Sequence, residues 1–377
     1  MARRWDIFCT VVDNYGDAGV CWRLARQLAS EYALQVRLWI DDLGALQHLW
    51  PDIAQGLDEQ QVAGVEVRHW RAEFAAVAPA DVVIEAFACT LPASYIDAMA
   101  AQPQPPLWIN LEYLSAEAWV ADCHGLPSPQ SHPRLRKYFF FPGFSERTGG
   151  LLGERNLVSQ RRVIQRQTDA RRAFLAQLGV DATPATLISL FAYAQAPIAA
   201  LLGELAAGSA PVRCLVPAGR ALTAAAQFFG EPALAVGARR RRGALELIAL
   251  PFLRQDDYDR LLWYCDFNCV RGEDSFVRAQ WAGRPLLWHI YPQEEAAHMV
   301  KLEAFLDRYC AELPVPAAAA FRRASQAWNG NGDFAAAWRA LAPFRAALGE
   351  GAEAWADRLD RGTNLAAALV QFCANQV

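Results

Sequence analysis

The chain alternates between short apolar runs and longer segments in which apolar residues recur every three or four positions. The first run, Asp6–Val12, predicts a strand, and the glycine-rich turn Asp13–Gly19 follows it. The segment Val20–Tyr32 then predicts a helix, because apolar residues recur there at three- and four-residue spacing, at Trp22, Leu24, Ala25 and Leu28. A strand, a turn and a helix in this order are typical of an α/β domain.

Further apolar runs of strand length continue this rhythm through the first half of the chain. They are Leu34–Ile40, Val65–Trp70, Asp81–Ala86 and Pro106–Leu111. Strands that are apolar on both faces and are separated by helical patterns indicate a parallel sheet covered on both sides. The first half is therefore predicted to be a doubly wound domain.

The rhythm breaks over 145–182, where Gly149 and Gly150 precede a helical stretch at Arg161–Gln177 rich in arginine and glutamine. It then resumes with five predicted strands: Thr186–Phe191, Val212–Pro217, Leu245–Pro251, Asp266–Val270 and Pro285–His289. The tail from about 336 predicts helix, with Trp338 and Trp355 as packing residues. A second α/β domain is the simplest interpretation.

These patterns divide the 377 residues into four predicted segments. Residues 1–150 form an N-terminal Rossmann-like domain, 151–182 a linker and connecting helix, 183–350 a second Rossmann-like domain, and 351–377 a helix that packs back on the first. Open α/β sheets bind ligands outside the carboxyl ends of their strands, so we expect a ligand cleft between the domains. This favours an enzyme or a ligand-binding protein.

Composition excludes several classes of binding partner. A net charge of −4 argues against a general nucleic-acid binder, which needs a basic surface. No apolar stretch has membrane-spanning length, and the first residues lack a signal-peptide pattern, so we expect a cytoplasmic protein without a membrane partner. The nine cysteines show no zinc spacing and are predicted to be buried, reduced thiols, with Cys265 and Cys269 in one strand.

The turn after the first strand carries two carboxylates, Asp13 and Asp17, among glycines. It is neither a dinucleotide fingerprint nor a phosphate loop. Two carboxylates would repel a phosphate, so they suit a cation or a proton to be abstracted. The alternative is structural: Asp17 caps the helix and Asp13 tightens an Asx turn.

A second loop, Arg271-Gly-Glu-Asp-Ser275, follows a predicted strand and opens a helix at Asp274 or Ser275. Its chemistry suits an anion, because Arg271 supplies a forked cation, Ser275 a hydroxyl, and the helix start free N–H groups. Glu273 is then available for ribose hydroxyls. The alternative is a capped helix with a surface ion pair.

Other segments offer weaker candidates. Phe252 is placed to stack on a nucleobase and Gln255 to read its edge, while Phe191 and Tyr193 are either ligand contacts or core aromatics. The Asp257-Tyr-Asp259 triplet resembles a metal signature, but acidic residues are expected in a first helical turn. The run Arg239–Arg242 is interpreted as a solvated loop, or as a docking patch for an acidic partner.

Two long motifs resemble a known family. Asp13-Asn-Tyr-Gly-Asp-Ala-Gly-Val-Cys-Trp-Arg23 and Arg271-Gly-Glu-Asp-Ser-Phe-Val-Arg-Ala-Gln280 are similar to those of the bacterial elongation factor P arginine rhamnosyltransferases, and the similarity extends over the whole length. The resemblance implies a GT-B glycosyltransferase with two Rossmann-like domains facing a central cleft. It also implies transfer of L-rhamnose from dTDP-β-L-rhamnose to an arginine of elongation factor P, with inversion and without metal or other cofactor.

The resemblance also implies roles for the candidate residues. Asp17 is the general base, and Asp13 helps to hold the acceptor guanidinium. The dTDP-rhamnose site is formed by Phe191, Tyr193, Phe252, Gln255, Arg271, Glu273, Asp274 and Ser275, with Glu273 on the nucleoside. The acidic first loop then has a purpose, since its ligand is a cation.

Other classes fit less well. An epimerase needs a Tyr-x-x-x-Lys pair and a dinucleotide loop, and a transferase acting on lipid needs a membrane-facing helix; the sequence offers none of these. A non-enzymatic binding module leaves the aspartate pair without a task. A response to NAD in place of dTDP would favour an oxidoreductase.

Overall fold

The computed structural model describes residues 3–13, 15–130, 132–181, 183–292 and 297–376. Asn14, which belongs to the first motif, lies outside the described residues. The chain divides into two compact units, Met1–Arg155 with Leu359–Val377, and Asn156–Arg358. The second unit is therefore inserted between two parts of the first.

The first unit is an eight-stranded sheet with helices. Its elements are β1 Arg4–Cys9, α1 Gly16–Tyr32, β2 Gln35–Ile40, α2 Leu43–Leu49, β3 Glu59–Val62, β4 Val65–His69, β5 Val82–Ala86, α3 Ala93–Ala101, β6 Leu107–Leu111, α4 Val120–Cys123, β7 Pro127–Ser128, β8 Lys137–Phe140 and, from the chain's end, α15 Leu365–Asn375. The strand order is β3-β4-β2-β1-β5-β6-β8-β7, with only the pairs β3–β4 and β7–β8 antiparallel among the described residues. The predicted doubly wound sheet is confirmed.

The second unit repeats this architecture with six strands. Its elements are α5 Leu157–Arg166, α6 Thr168–Gln177, β9 Thr186–Leu190, α7 Ile198–Ala207, β10 Val212–Pro217, α8 Arg220–Phe228, β11 Arg239–Arg242, β12 Leu245–Leu250, α9 Gln255–Tyr264, β13 Phe267–Arg271, α10 Asp274–Trp281, β14 Leu286–His289, α11 Ala297–Tyr309, α12 Val315–Trp328, α13 Phe334–Leu341 and α14 Arg345–Asp360, with short 3-10 segments at Cys310–Glu312 and Ala342–Phe344. The order is β11-β12-β10-β9-β13-β14, with β11 antiparallel to β12.

In each sheet the first strand lies in the middle and the chain builds outwards on both sides. In the first unit it passes from β1 to β2 and β4, then crosses to β5 and β6. In the second unit it passes from β9 to β10 and β12, then crosses to β13 and β14. Each crossing creates a switch point, beside β1 and beside β9, and open α/β sheets bind ligands at such points.

The packing around β1, in the core of the first unit, explains why its central strand was predictable. Phe8 of β1 stacks on Trp39 with ring centroids 5.7 Å apart and meets Tyr95 of α3 edge-on at 4.8 Å. At the other end of β1, Asp6 is fully buried, and Arg37 binds it through Nε at 2.6 Å and Nη2 at 2.7 Å. Burial on both faces requires near-continuous apolar sequence, with any charge paired.

Two elements differ from the sequence predictions in extent. β1 ends at Cys9, not Val12, because carboxylates replace strand partners: Val11 N–H donates to Asp41 Oδ1 at 2.9 Å and Val12 N–H to Asp17 Oδ2 at 2.8 Å. The predicted connecting helix is two helices, α5 and α6, that meet at Gln167. All nine cysteines are free and eight are buried, as predicted, but Cys265 follows α9 and does not lie in a strand.

The arginine run is an edge strand, so its interpretation as a solvated loop is wrong. β11 pairs with β12, and each of its arginines has a partner within the second unit. Arg239 and Arg241 contact Glu246, Arg240 binds Glu231, and Arg242 lies 4.2 Å from the Phe228 ring centroid. Charged side chains on an edge strand also discourage pairing with other chains.

The carboxylates that pair with the β11 arginines make the stability of this edge strand depend on pH. Burial alone would raise the pKa of Glu246, but Arg213 and Arg241 outweigh burial and lower it. Hydrogen bonds from the Thr183 side chain and backbone, together with the positive charge of Arg213, lower the pKa of Asp181 to about 2. A depressed folded-state pKa stabilises the fold above the unfolded pKa, about 4.3 for Glu, and this contribution disappears as pH falls through the folded value.

We therefore expect Glu246→Gln to destabilise the protein at pH 7 by roughly 1–3 kcal/mol, because Arg213 loses its buried partner. The deficit should shrink as the pH falls below about 4. Thermal unfolding at both pH values measures it, with Asp169→Asn as the control, since that side chain is 95% exposed. An equal deficit at both pH values would contradict the linkage.

Within the described parts of the chain, no helix combines the length and apolar character needed to cross a membrane.

Candidate functional site

The predicted site residues fall into two groups, one at the carboxyl edge of each sheet. Asp13 and Asp17 follow β1 of the first unit. The remaining residues follow β9, β12 and β13 of the second unit: Phe191, Tyr193, Phe252, Gln255, Arg271, Glu273, Asp274 and Ser275. Each group lies beside the switch point of its own sheet, and each is described by itself.

In the first unit, the Asp17 carboxylate organises the loop that precedes it. Its Oδ2 accepts hydrogen bonds from Val12 N–H at 2.8 Å and Asp13 N–H at 2.9 Å. Helix α1 begins at Gly16 and has no side-chain cap, so Asp17 does not cap the helix. Asp17 is only 2% exposed, whereas Asp13 is half-buried. The structural alternative that Asp17 caps the helix is therefore wrong, because its carboxylate holds the backbone of the loop before the helix.

The rest of the loop is equally constrained. Gly16 N–H donates to the Asp13 carbonyl at 2.8 Å, which closes a tight turn. A β-carbon at Gly16 would lie 3.2 Å from Asp13 Oδ2, so glycine leaves room for this carboxylate. Asp41, at the end of β2, adds a third carboxylate to the same edge through its bond from Val11. This clustering of negative charge suits a cationic ligand.

In the second unit, Arg271 is the central residue. It ends β13, it is 8% exposed, and its guanidinium carbon lies 4.6 Å from the ring centroids of both Phe191 and Tyr193. Its Nη1 is buried and has no hydrogen-bond partner among the described residues. A buried cationic donor without an acceptor is costly, and an anionic ligand would satisfy it. The alternative of a surface ion pair at Arg271 is wrong.

The loop after Arg271 holds the start of α10. Gly272 has a φ of 63°, which glycine adopts without strain, and its carbonyl accepts from Trp288 Nε1 at 2.8 Å. The Ser275 hydroxyl donates to the Arg271 carbonyl and accepts from Arg271 N–H at 3.2 Å. Helix α10 begins at Asp274, as predicted, and Glu273 makes no side-chain cap. The N–H groups of this first turn are therefore not taken by the Glu273 side chain.

Gln255 connects the segment after β12 to this loop. It is 2% exposed, and its Nε2 donates to Asp274 Oδ2 at 3.2 Å. Phe252, three residues earlier, is half-buried. Phe191 meets the ring of Tyr258 edge-on at 5.6 Å. These contacts bring the segments after β9, β12 and β13 together at one edge of the sheet.

Sequence reasoning missed two polar groups here. His289 ends β14 beside Arg271, is 4% exposed, and its Nδ1 accepts from Tyr193 N–H at 3.3 Å, so the ring proton is on Nε2. Burial, with His298 and Arg271 nearby, lowers the pKa of His289 to about 4, so it is neutral at physiological pH. The Tyr258 hydroxyl is buried without a partner among the described residues. Adjacency of β14 and β13 identifies His289, whereas Tyr258 lies on α9 and is identified by the packing of this helix against Phe191.

The Asp257–Asp259 triplet has a structural explanation. Asp259 is 4% exposed and is bound by Arg278, with Nη2 to Oδ2 at 2.6 Å and Nε to Oδ1 at 3.1 Å. Asp257 lies 3.6 Å from Arg260, one helical turn along. A carboxylate held in this way by a buried arginine is committed to the fold.

Comparison with known proteins finds relatives over the whole length of the chain. A family model described as "Elongation-Factor P (EF-P) rhamnosyltransferase EarP" matches residues 5–374. A protein-arginine rhamnosyltransferase of Pseudomonas putida KT2440 is 56% identical over 378 residues, which cover 100% of both chains. Its counterpart in Pseudomonas aeruginosa PAO1 is 53% identical and covers 98% of this chain and 99% of its own.

Comparison with solved structures agrees with the sequence comparisons. A structure described as the structural basis for EarP-mediated arginine glycosylation of translation elongation factor EF-P has a TM-score of 0.72 at 41% identity, with full coverage of both chains. Acinetobacter baumannii MurG has a TM-score of 0.52 at 12% identity, again with full coverage, and supports the fold alone. The fold is therefore GT-B, as predicted, and the chain belongs to the EarP family of elongation factor P rhamnosyltransferases.

Proposed function

We propose that this protein transfers L-rhamnose from dTDP-β-L-rhamnose to an arginine side chain of elongation factor P, with inversion at the anomeric carbon. Membership in the family supports the reaction class and the acceptor. The observation that carries the donor assignment is the buried Arg271 Nη1, which lacks an acceptor among the described residues. A nucleoside diphosphate supplies acceptor oxygens with the right charge.

The second unit would bind the donor through complementary contacts. Arg271 and the first N–H groups of α10 face the diphosphate, where a forked cation and a helix N-terminus both favour negative charge. The ring faces of Phe191 and Tyr193 orient the Arg271 guanidinium. Phe252 and Gln255 serve the base, and Glu273 accepts hydrogen bonds from the nucleoside sugar. As the glycosidic bond breaks, the same cationic groups stabilise the departing dTDP.

The first unit would bind the acceptor and remove its proton. A guanidinium has a pKa above about 12, so an aspartate cannot deprotonate it beforehand. When the anomeric carbon bonds to the guanidine nitrogen, that nitrogen becomes acidic, and a carboxylate within hydrogen-bond reach takes the proton. Asp17 fits this role because its Oδ2 is held by two loop N–H groups, which fix the carboxylate's orientation. Asp13, beside it, helps to hold the cation.

The proposed reaction uses no metal. The leaving diphosphate is neutralised by Arg271 and α10, which takes over the usual task of a divalent cation. The only Asp-x-Asp triplet on the donor side of the sequence contributes Asp259 to a buried ion pair with Arg278, so that carboxylate is not available as a ligand.

The direct test is incubation with elongation factor P and dTDP-β-L-rhamnose, followed by intact mass spectrometry. We expect elongation factor P to gain the mass of one deoxyhexosyl group, located on an arginine by fragmentation, with an α-linkage shown by NMR. The control is dTDP-glucose as donor. No mass gain with dTDP-rhamnose, or gain on another residue type, would overturn the proposal.

A separate expectation concerns the nucleoside end of the donor. Glu273→Ala should weaken dTDP binding about tenfold, the equivalent of about 1.4 kcal/mol, without the loss of a helix cap, because Glu273 makes none. Calorimetric titration with dTDP measures the loss.

Asp333→Ala is the matched control for that change. Asp333 does cap a helix, accepting from Ala336 N–H at 3.1 Å, so its loss should cost about 1 kcal/mol of stability without affecting dTDP. If Glu273→Ala left the dTDP dissociation constant unchanged, the nucleoside assignment would be wrong.

A further inference from the structure

The turn after β5 has an unusual backbone. Phe87 and Ala88 are consecutive non-glycine residues with φ of 57° and 54°, in the left-handed region that β-carbons disfavour. The turn is held by hydrogen bonds from Phe87 N–H to the Leu111 carbonyl at 2.7 Å and from Cys89 N–H to the Ala86 carbonyl at 3.2 Å. Strain that the surroundings maintain in this way clusters at ligand sites.

This turn presents a flat aromatic surface. The Phe87 ring stacks on Tyr113, which follows β6, with centroids 4.4 Å apart and planes 16° from parallel. Both rings are half-buried and stand apart from the core cluster around Phe8. An aromatic face that solvent can reach attracts planar cations, and arginine most often.

A carboxylate lies next to these rings in the chain. Glu112 follows β6, and its Oε1 accepts from Asn110 Nδ2 at 2.7 Å. Asn110 is 4% exposed, and its Oδ1 is buried without a hydrogen-bond donor among the described residues. The edge of β6 therefore carries a positioned negative charge and an unsatisfied acceptor, both suited to a ligand rich in N–H groups.

The sheet order places this group beside the Asp13–Asp17 loop. β5 is the direct neighbour of β1, and β6 is the next strand. Cys89 Sγ lies 3.4 Å from the Phe8 carbonyl, which ties the turn after β5 to the end of β1. β1 and β6 are two strand spacings apart, about 10 Å, and Glu112 follows β6 as the Asp13–Asp17 loop follows β1, at the carboxyl edge of the same sheet.

We propose that Phe87, Tyr113 and Glu112 form a guanidinium subsite that binds the target arginine of the acceptor protein together with Asp17. This inference rests on the proposed function and adds residues that neither motif contains. A guanidinium has two faces and five N–H donors, so one carboxylate engages only one edge. The stacked rings bind one face of the guanidinium by cation–π attraction. Glu112 accepts hydrogen bonds from one of its edges, and Asp17 accepts from the edge whose nitrogen loses its proton.

The test is a double-mutant cycle on binding, which needs no turnover. Glu112→Gln removes the charge but keeps an oxygen that accepts from Asn110. Binding of elongation factor P is titrated calorimetrically in the presence of dTDP, once with the native acceptor and once with an acceptor whose target arginine is alanine. We expect Glu112→Gln to weaken the native acceptor about 10- to 100-fold and to leave the alanine acceptor unchanged.

Controls separate the subsite from a general effect on the unit. Glu117→Gln changes another half-buried carboxylate after β6, one that accepts from Ser115 Oγ at 2.9 Å, and should alter neither titration. Phe87→Leu should weaken only the native acceptor, with exposed Trp119→Leu as its control. Phe87→Leu also tests the proposal if Glu112→Gln does not fold.

The outcomes distinguish the proposed guanidinium subsite from the proposed transferase function on which it rests. Equal weakening of both acceptors, or no weakening of either, overturns the subsite while the wild-type enzyme still adds rhamnose. Absence of a mass gain with the wild-type enzyme overturns the proposed function instead. A coupling confined to the native acceptor supports the subsite.

Discussion

Asp17→Asn is expected to abolish rhamnosyl transfer, lowering kcat by about 10²–10⁴-fold, while dTDP binds as before. Asparagine retains an oxygen for the N–H groups of Val12 and Asp13, so the loop keeps its geometry, but the side chain no longer accepts a proton. Single-turnover assays with elongation factor P measure the loss, and calorimetric titration with dTDP checks donor binding. The separation of turnover from donor affinity is the signature of a general base.

Asp41→Asn is the matched control. Asp41 holds the same loop through Val11 N–H, and asparagine keeps that acceptor, so the change removes a nearby charge without touching the proposed base. We expect kcat to fall by less than about tenfold, because only an electrostatic contribution is lost. Turnover retained in Asp17→Asn, or lost equally in both variants, would remove Asp17 from the role of base.

Arg271→Met is expected to act in opposite directions on stability and on donor binding. Removing a buried guanidinium whose Nη1 has no described partner should leave the free protein as stable as the wild type, or more stable by about 1–4 kcal/mol. The same change should weaken dTDP binding about 10- to 150-fold, since a charge-assisted contact to a phosphate is worth about 1.5–3 kcal/mol. Thermal melts with and without dTDP report both effects in one experiment.

Arg278→Met is its counterpart in the same unit. Arg278 is also buried, but Asp259 pairs with it at 2.6 Å, so its removal leaves an uncompensated carboxylate and should destabilise the fold by about 3–5 kcal/mol. If both variants were destabilised alike, Arg271 would be a structural residue. Replacements of two buried arginines with opposite effects on stability would identify the one whose partner is a ligand.

The central strands and the two ligand loops were predictable because their signals are local. β5 and β12 are buried along their whole length and carry one charged residue each, and a strand–turn–helix order places the loops after β1 and β13 at carboxyl edges. β3 and β11 were missed because edge strands carry polar sequence, and four arginines in β11 mask its pairing with β12. Hydrophobic periodicity reports burial, so it does not detect a strand whose stability depends on ion pairs.

The parts of the candidate site that depend on sheet neighbours were not predictable. His289 meets Tyr193 only because β14 lies beside β13 and β13 beside β9. Phe87 and Tyr113 are 26 positions apart in the chain, and only the β5–β6 register stacks them. A sequence motif contains residues from one segment of the chain. The residues at a switch point come from several strands that are distant in sequence.

The return of the chain end to the first unit has a consequence for synthesis. A β-carbon at Gly150, where φ is 74°, would lie 1.7 Å from the Thr363 carbonyl oxygen, and Gln27 Nε2 lies 3.5 Å from Asn364 Oδ1. Helix α15 is thus built into the first unit, although it follows the entire second unit in the sequence. The second unit, whose sequence is continuous, can fold while the nascent chain is still attached, since domains generally fold as units during synthesis. The unit that carries Asp17 can be completed only after the whole second unit and helix α15 have been synthesised, so a product truncated before α15 lacks part of this unit.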